Sequence, residues 1–220
     1  MRVLVIAPHP DDEVLGVGGT MIKRVLQGHE VHVCVVTRGY PPMFDQKYIS
    51  QGVRECRLAN ALLGTSGIYF LRKPASSMDT ISLVSVIEPL RNIILELKPD
   101  EVYIPHRGDV HNDHKAVVDA AMVALRPKHS HKVCRIYSYE CPSETGWDIP
   151  AEYNAFIPNV FEDISDTLDL KIQAMEKYKS QIEKYPGARS PEAIRALAVH
   201  RGTTVYTAAA EAFSLVREIK

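Results

Sequence analysis

Within five residues, His9-Pro10-Asp11-Asp12-Glu13 sets one imidazole beside three carboxylates. Such a cluster is costly to hold together unless something positive neutralises it, and a divalent metal is the economical candidate. A second stretch far along the chain answers the first: His106-Arg107-Gly108-Asp109-Val110-His111-Asn112-Asp113-His114. Histidine with carboxylate as the donor set suits Zn²⁺ or another first-row divalent ion. Adjacent Asp11 and Asp12 cannot both point at one ion without strain. Either can ligate, and the other is then free to accept a proton from an attacking water.

The elements around these clusters explain how they meet. Arg2-Val3-Leu4-Val5-Ile6-Ala7 is an apolar, partly β-branched run that reads as a buried parallel strand. A helix is expected over 15–26 with Gly28 as its stop, then a strand over 30–36, a helix over 50–63 ending at Gly64, and a strand over 67–71. A long helix over 81–97 contains Pro89, where a kink or break is expected. The strand at 101–104 leads into the second cluster, read as a loop, before a helix over 115–125 and a fifth strand over 133–139. Beyond it come an edge strand over 155–161, marked by Pro158, and helices over 166–184, 191–199 and 207–219. Strands alternating with helices predict a single-domain Rossmann-like α/β fold over 1–220, its sheet mostly parallel with helices on both faces. In such sheets ligands bind at the carboxyl ends of the strands, where both clusters fall.

Composition narrows the function. A formal net charge of −1 gives no electrostatic footprint for nucleic acid. The stretch Arg126-Pro127-Lys128-His129 reads as a solvated loop. The first apolar run is far too short to span a membrane and no cleavage-site pattern follows it, so the cytoplasm is expected. Cys34, Cys56, Cys134 and Cys141 form no metal or disulfide pattern.

With both clusters in view, the chain resembles the zinc-dependent N-acetylglucosamine deacetylase family, also called PIG-L or LmbE-like. Ala7-Pro8-His9-Pro10-Asp11-Asp12-Glu13 matches its opening motif, and His111-Asn112-Asp113-His114 its H-x-D-H motif. Weaker echoes extend along the chain: Thr37-Arg38-Gly39 (with Tyr40 where members carry Glu), Arg54-Glu55 with Ala59 and Leu63-Gly64, Lys171 to Gln181, Arg201-Gly202 and Ala210 to Phe213. The resemblance implies removal of an acetyl group from an N-acetylglucosaminyl conjugate, a small-molecule substrate, with release of acetate and a free amine. It makes His9, Asp12 and His114 the ligands of one Zn²⁺ per chain, and Asp11 the general base. It makes His111 the oxyanion stabiliser or proton donor, partnered by Asp113, whose charge would raise the His111 pKa above its usual value of about 6.5. It points to Arg54 and Arg38 as substrate contacts. It also implies a homo-oligomer, a trimer or hexamer.

Plainer readings stand beside these. Aspartates often cap helices, Arg38 and Arg54 are surface or ion-pair residues by default, and His200 is a surface histidine. His29, His32, His129 and His131 have no constellation around them. Gly16-Val17-Gly18-Gly19 lacks the full G-x-G-x-x-G spacing of a dinucleotide turn, so close packing of the helix on the sheet is the better account. Two other functions compete: a metal phosphoesterase, which would want more bridging carboxylates, and a non-enzymatic nucleotide-binding module. Substrate choice should lie in the loops at 40–48, 73–79 and 140–147, where Tyr40, Phe44 and Trp147 can stack on a sugar or simply pack.

Overall fold

A computed structural model describes residues 1–128 and 130–220, so His129 lies outside the described residues. Seven strands form one sheet: β1 (Arg2–Ala7), β2 (Glu30–Arg38), β3 (Gly67–Pro74), β4 (Glu101–Pro105), β5 (Arg135–Tyr139), β6 (Val160–Asp163) and β7 (Ala210–Glu218). Their order is β3-β2-β1-β4-β5-β7-β6. The first five are parallel, and β7 runs antiparallel to both β5 and β6. Between the strands lie α1 (Asp12–Leu26), α2 (Gln46–Leu63), α3 (Val84–Leu97), α4 (Asn112–Ala124), α5 (Leu168–Met175) and α6 (Pro191–Thr203).

Alternate side chains of β1 feed two cores. Val3 and Val5 pack with α1, α2 and α5, while Leu4 and Ile6 pack with α3 and α4. Burial on both faces is why β1 reads as an unbroken apolar run. From β1 the chain passes to β2 on one side and, later, to β4 on the other, so the strand order reverses there. The crevice at the carboxyl ends of β1 and β4 is the switch point where open α/β sheets bind ligands.

Gly16 fits this packing. A methyl group in its place would run into the ring of Tyr139, whose hydroxyl donates to the Ile6 carbonyl at 2.9 Å. Farther along α1, the buried Glu211 carboxylate accepts from the Gly19 and Thr20 N–H groups, each at 2.8 Å. Lys171 joins Glu211 at 2.6 Å to the Leu15 carbonyl at 2.8 Å.

Several expectations are corrected. The stretch 207–219, whose alanines favour helix, supplies β7 instead. Pairing with strands on both sides, Tyr139 and Val160 both lying in register with Phe213, outweighs intrinsic propensity. The helix expected over 166–184 stops at Met175, and turns follow that carry Tyr178 inward. The edge strand begins at Val160, after Pro158 rather than before it. Helix α3 continues through Pro89. Helices α1 and α4 start earlier than expected, and this last correction reshapes the site.

Candidate active site

Both clusters sit at helix N-termini. After β1, the Pro8 carbonyl is fixed by the Thr37 N–H at 2.9 Å and the Thr37 hydroxyl at 2.8 Å. The chain then turns so that the His9 N–H donates to Asp12 Oδ2 at 2.8 Å. Asp11 occupies the N-cap of α1, yet its side chain makes no cap bond and its φ is 114°, a region a non-glycine residue adopts only when its surroundings impose it. Its carboxylate accepts from Arg189 Nε at 3.1 Å instead. Glu13 locks the turn by accepting from the Tyr178 hydroxyl, from Asn60 Nδ2 at 2.9 Å and from the Asp11 N–H at 3.1 Å.

Two rings face the same oxygen of Asp12: His9 through Nδ1 at 3.4 Å and His114 through Nε2 at 3.3 Å. The far nitrogen of each ring is held by another carboxylate. His9 Nε2 meets Asp113 Oδ2 at 2.9 Å, and His114 Nδ1 meets Asp109 Oδ2 at 2.8 Å. A carboxylate behind each imidazole anchors an N–H there and aims the other nitrogen at Asp12. His114 Nε2 is buried and meets only the Asp12 carboxylate, at 3.3 Å and without hydrogen-bond alignment, a gap that a cation between the two groups would fill.

His9, Asp12 and His114 therefore fit a divalent metal. His9, His111 and Asp113 also lie close enough together. In that grouping, however, Asp113 Oδ2 already accepts from the Ser76 N–H at 2.6 Å, and His111 Nδ1 accepts from the Asp113 N–H at 3.1 Å. Both groupings need His9, so the described cluster suits one ion at a time.

The neighbouring aspartates have opposite electrostatics. Burial, reinforced by the charge of Asp12, pushes the Asp11 carboxyl well above the usual carboxylate range against the pull of Arg189. Burial would raise Asp12 as well, but His114 and His9 hold it well below that range. Burial thus favours the protonated form of Asp11, while Asp12 is a fixed anion.

The expected pairing of His111 with Asp113 is present only as a long contact. Asp113 turns toward His9, and its Oδ2 stands 4.0 Å from His111 Nδ1. His111 is the N-cap of α4. Burial and the neighbouring His9 lower its pKa, and Asp113 does not offset them. Because Nδ1 accepts a backbone N–H, the neutral ring carries its proton on Nε2.

His9, Asp11 and His111 line a cleft of about 470 Å³, as do Arg38, Phe44 and Tyr48. Arg54 is exposed on α2 and does not line it, whereas Arg57, one turn on, does. Tyr40 bonds Ser77 Oγ at 2.6 Å, Trp147 is 73% exposed outside the cleft, and His200 lies in a separate groove on α6. Asp109, Arg189 and Cys141, whose Sγ–H donates to Asp12 Oδ1 at 3.2 Å, are site residues that the sequence reading missed. Asp109 stands in the quoted second cluster, five positions before His114, and that spacing was its one signal. Arg189 arrives from the turns before α6 and has no local signal.

The model of the family described as PIG-L, GlcNAc-PI de-N-acetylase, matches residues 4–125, more than half of the chain. The chain belongs to the PIG-L family. It is 29% identical to the uncharacterized deacetylase YaiS of Escherichia coli over 184 residues, which covers 81% of this chain and 90% of that protein. It is 28% identical to the probable N-acetyl-alpha-D-glucosaminyl L-malate deacetylase 2 of Bacillus cereus, with coverage of 83% and 84%. Among solved structures, the 4-carboxy-2-hydroxymuconate hydratase GalB of Pseudomonas putida superposes with a TM-score of 0.81, covering 100% of this chain and 97% of that one at 19% identity. That likeness shows the fold alone. With a hydratase on the same scaffold as the PIG-L family, the reaction must be argued from the site.

Proposed function

We propose that this chain is a zinc-dependent N-deacetylase that releases acetate and a free amine from an N-acetylglucosaminyl conjugate. The observation that carries this reading is the division of labour between Asp11 and Asp12. One carboxylate is sequestered between two carboxylate-backed histidines, and its neighbour is held in a strained backbone conformation facing the cleft. His9, Asp12 and His114 would hold Zn²⁺, which when bound supplies Lewis acidity toward an amide carbonyl and an attacking water. Asp11, oriented by Arg189, takes the proton that water gives up as its oxygen bonds the carbonyl carbon. The neutral Nε2–H of His111 donates to the oxygen on which negative charge develops. When the carbon–nitrogen bond breaks, Asp11 returns the proton to the departing amine. Asp113 and Asp109 act behind His9 and His114, holding the rings.

Arg38 lies where it can touch the conjugate, and Arg54 does not line the cleft. The need of both ligand groupings for His9 argues against a two-metal phosphoesterase. No described helix is long and apolar enough to cross a membrane. The four cysteines are free, which supports a reducing compartment such as the cytoplasm. Exposed Trp147, Ile149, Tyr153 and Ile157 on one connection offer apolar surface for self-association into a homo-oligomer. The deciding experiment assays amine release from N-acetylglucosaminyl conjugates with zinc-loaded protein. Release that disappears on chelation and returns with zinc is expected, and a metal-loaded protein that deacetylates none of them would remove the proposal.

A further inference from the structure

Four arginines line the main cleft, but only one of them is spent on carboxylates. Arg189 lies 3.1 Å from Asp11 and 3.8 Å from Glu144, the two carboxylate residues in the cleft lining. Arg38, Arg57 and Arg72 have no ion-pair partner among the described residues; Arg57 and Arg72 are exposed to solvent at the cleft and Arg38 is half-buried. The Arg38 Nε is buried without a hydrogen-bond partner. A desolvated guanidinium N–H left in that state is costly and becomes favourable when an oxyanion reaches it.

The three guanidinium groups come from different elements. Arg38 ends β2, Arg57 lies on α2 with its guanidinium carbon 5.9 Å from the centre of the Phe70 ring, and Arg72 lies near the end of β3. Arg72 has a φ of 56°, where a β-strand residue is strained. The register between β2 and β3 shifts between Val35 and Thr37, just before the segment where the two strands deliver Arg38 and Arg72. Both arginines also border a second cavity of about 280 Å³, with Tyr40, Pro41 and Gln46, and no carboxylate lines it.

We propose that Arg38, Arg57 and Arg72 form a subsite for an oxyanion carried by the substrate, either a phosphate or a carboxylate group. The preferred substrate is then an anionic N-acetylglucosaminyl conjugate whose amide lies at Asp11 and His111. The substrate class rests on the deacetylase reading, whereas the binding of an oxyanion is a separate measurement. Guanidinium forks suit both groups because each presents paired oxygens to parallel N–H donors. The subsite also gives Arg38 a role that a neutral sugar does not require.

The test is calorimetric binding to zinc-loaded Asp11→Asn protein, which avoids turnover, with three probes: methyl N-acetylglucosaminide, N-acetylglucosamine 6-phosphate and N-acetylglucosaminyl malate. At least one anionic probe should bind about tenfold or more tightly than the neutral one, and only the anionic affinity should weaken as salt rises. Arg38→Gln, Arg57→Gln and Arg72→Gln should each reduce the anionic preference, by about tenfold where the charge-assisted bond is strongest. The phosphate and malate arms show which oxyanion is read. Equal affinity for all three probes at low salt, or a preference that survives all three substitutions, overturns the subsite. The salt titration needs no variant, so it decides even if a substitution unfolds the protein. Amine release by the unsubstituted enzyme is followed in parallel. Arginine-dependent binding without any release would defeat the deacetylase reading and leave the oxyanion subsite standing, while release with no charge preference would do the reverse.

Discussion

Loading the metal should expel protons, and the structure sets how many. Without metal, burial works against a charged His9, but hydrogen bonds to Asp113 and Asp12 carry its pKa up to about 9. Burial likewise opposes a charged His114, while Asp12 and Asp109 carry it up to about 10. At pH 7 both rings are then imidazolium, yet each must present a lone pair to bind a cation. Metal uptake should therefore release about two protons near neutrality, falling toward zero above about pH 10. The assay is zinc titration calorimetry in buffers of differing ionisation enthalpy, where the slope of observed heat against buffer enthalpy counts the protons. Asp11→Asn is the better host, because it removes a third group of raised pKa, the Asp11 carboxyl, from the count. A linked effect follows for stability. Both histidines have folded-state pKa values above their unfolded ones, so in the metal-free protein their ion pairs stabilise the fold fully below about pH 6.5. That contribution is lost as pH rises through about 9 to about 10. Chelation should thus lower the melting temperature least in mild acid and most above pH 10. Release of fewer than about one proton at pH 7 would refute the reasoning, because the rings would then be neutral before metal arrives.

Asp109→Asn should weaken zinc binding by about 10- to 100-fold in a chelator competition, since it removes the charge behind His114; affinity within twofold of the parent would show that Asp109 does not tune the ligand. Asp11→Asn should keep the metal and lose about 10²- to 10⁴-fold in turnover, with asparagine tolerating the positive φ; a metal-free variant would instead mean that Asp11 ligates. His111→Gln should slow turnover without altering metal content or the alkaline limb of the pH profile, because a His111 pKa lowered by burial and by His9 cannot generate that limb; loss of the limb in this variant would restore an imidazolium role. Gly16→Ala should destabilise the fold by about 1–3 kcal/mol through overpacking against Tyr139, and an unchanged urea midpoint would show that the ring yields.

The parallel half of the sheet was legible because β1, β2 and β4 are buried on both faces and are written as short apolar runs. The two clusters were legible because their residue types are expensive to assemble without a ligand. The carboxyl-terminal third was not. Ala208, Ala209 and Ala210 favour a helix locally, and nothing near them records that β5 and β6 wait on either side of β7. Helix starts were misplaced where chemistry and capping use the same residue types. His111 caps α4 through Nδ1, so a segment read as loop is the first turn of a helix. Asp11 occupies the cap position of α1 without capping it, a distinction that only coordinates reveal.

The resemblance makes Asp113 the partner that charges the His111 imidazole. The turn of α4 carries Asp113 instead toward His9, and backbone N–H groups of Ser76 and Met78 hold it there. Asp113 therefore supports the ring proposed as a ligand, as Asp109 supports His114, and His111 stands at a helix N-terminus where positive charge is disfavoured. Neutrality suits a donor to a developing oxyanion, because its N–H is present before the charge forms and needs no proton from solvent. Of the two raised carboxyls in the cleft lining, Asp11 and Glu144, Asp11 is the one adjacent in sequence to Asp12, which suits it to the proposed role of receiving and returning a proton. The strain at Asp11 suits the role proposed for it, since relaxing φ would swing the carboxylate toward an ordinary N-cap and away from the cleft.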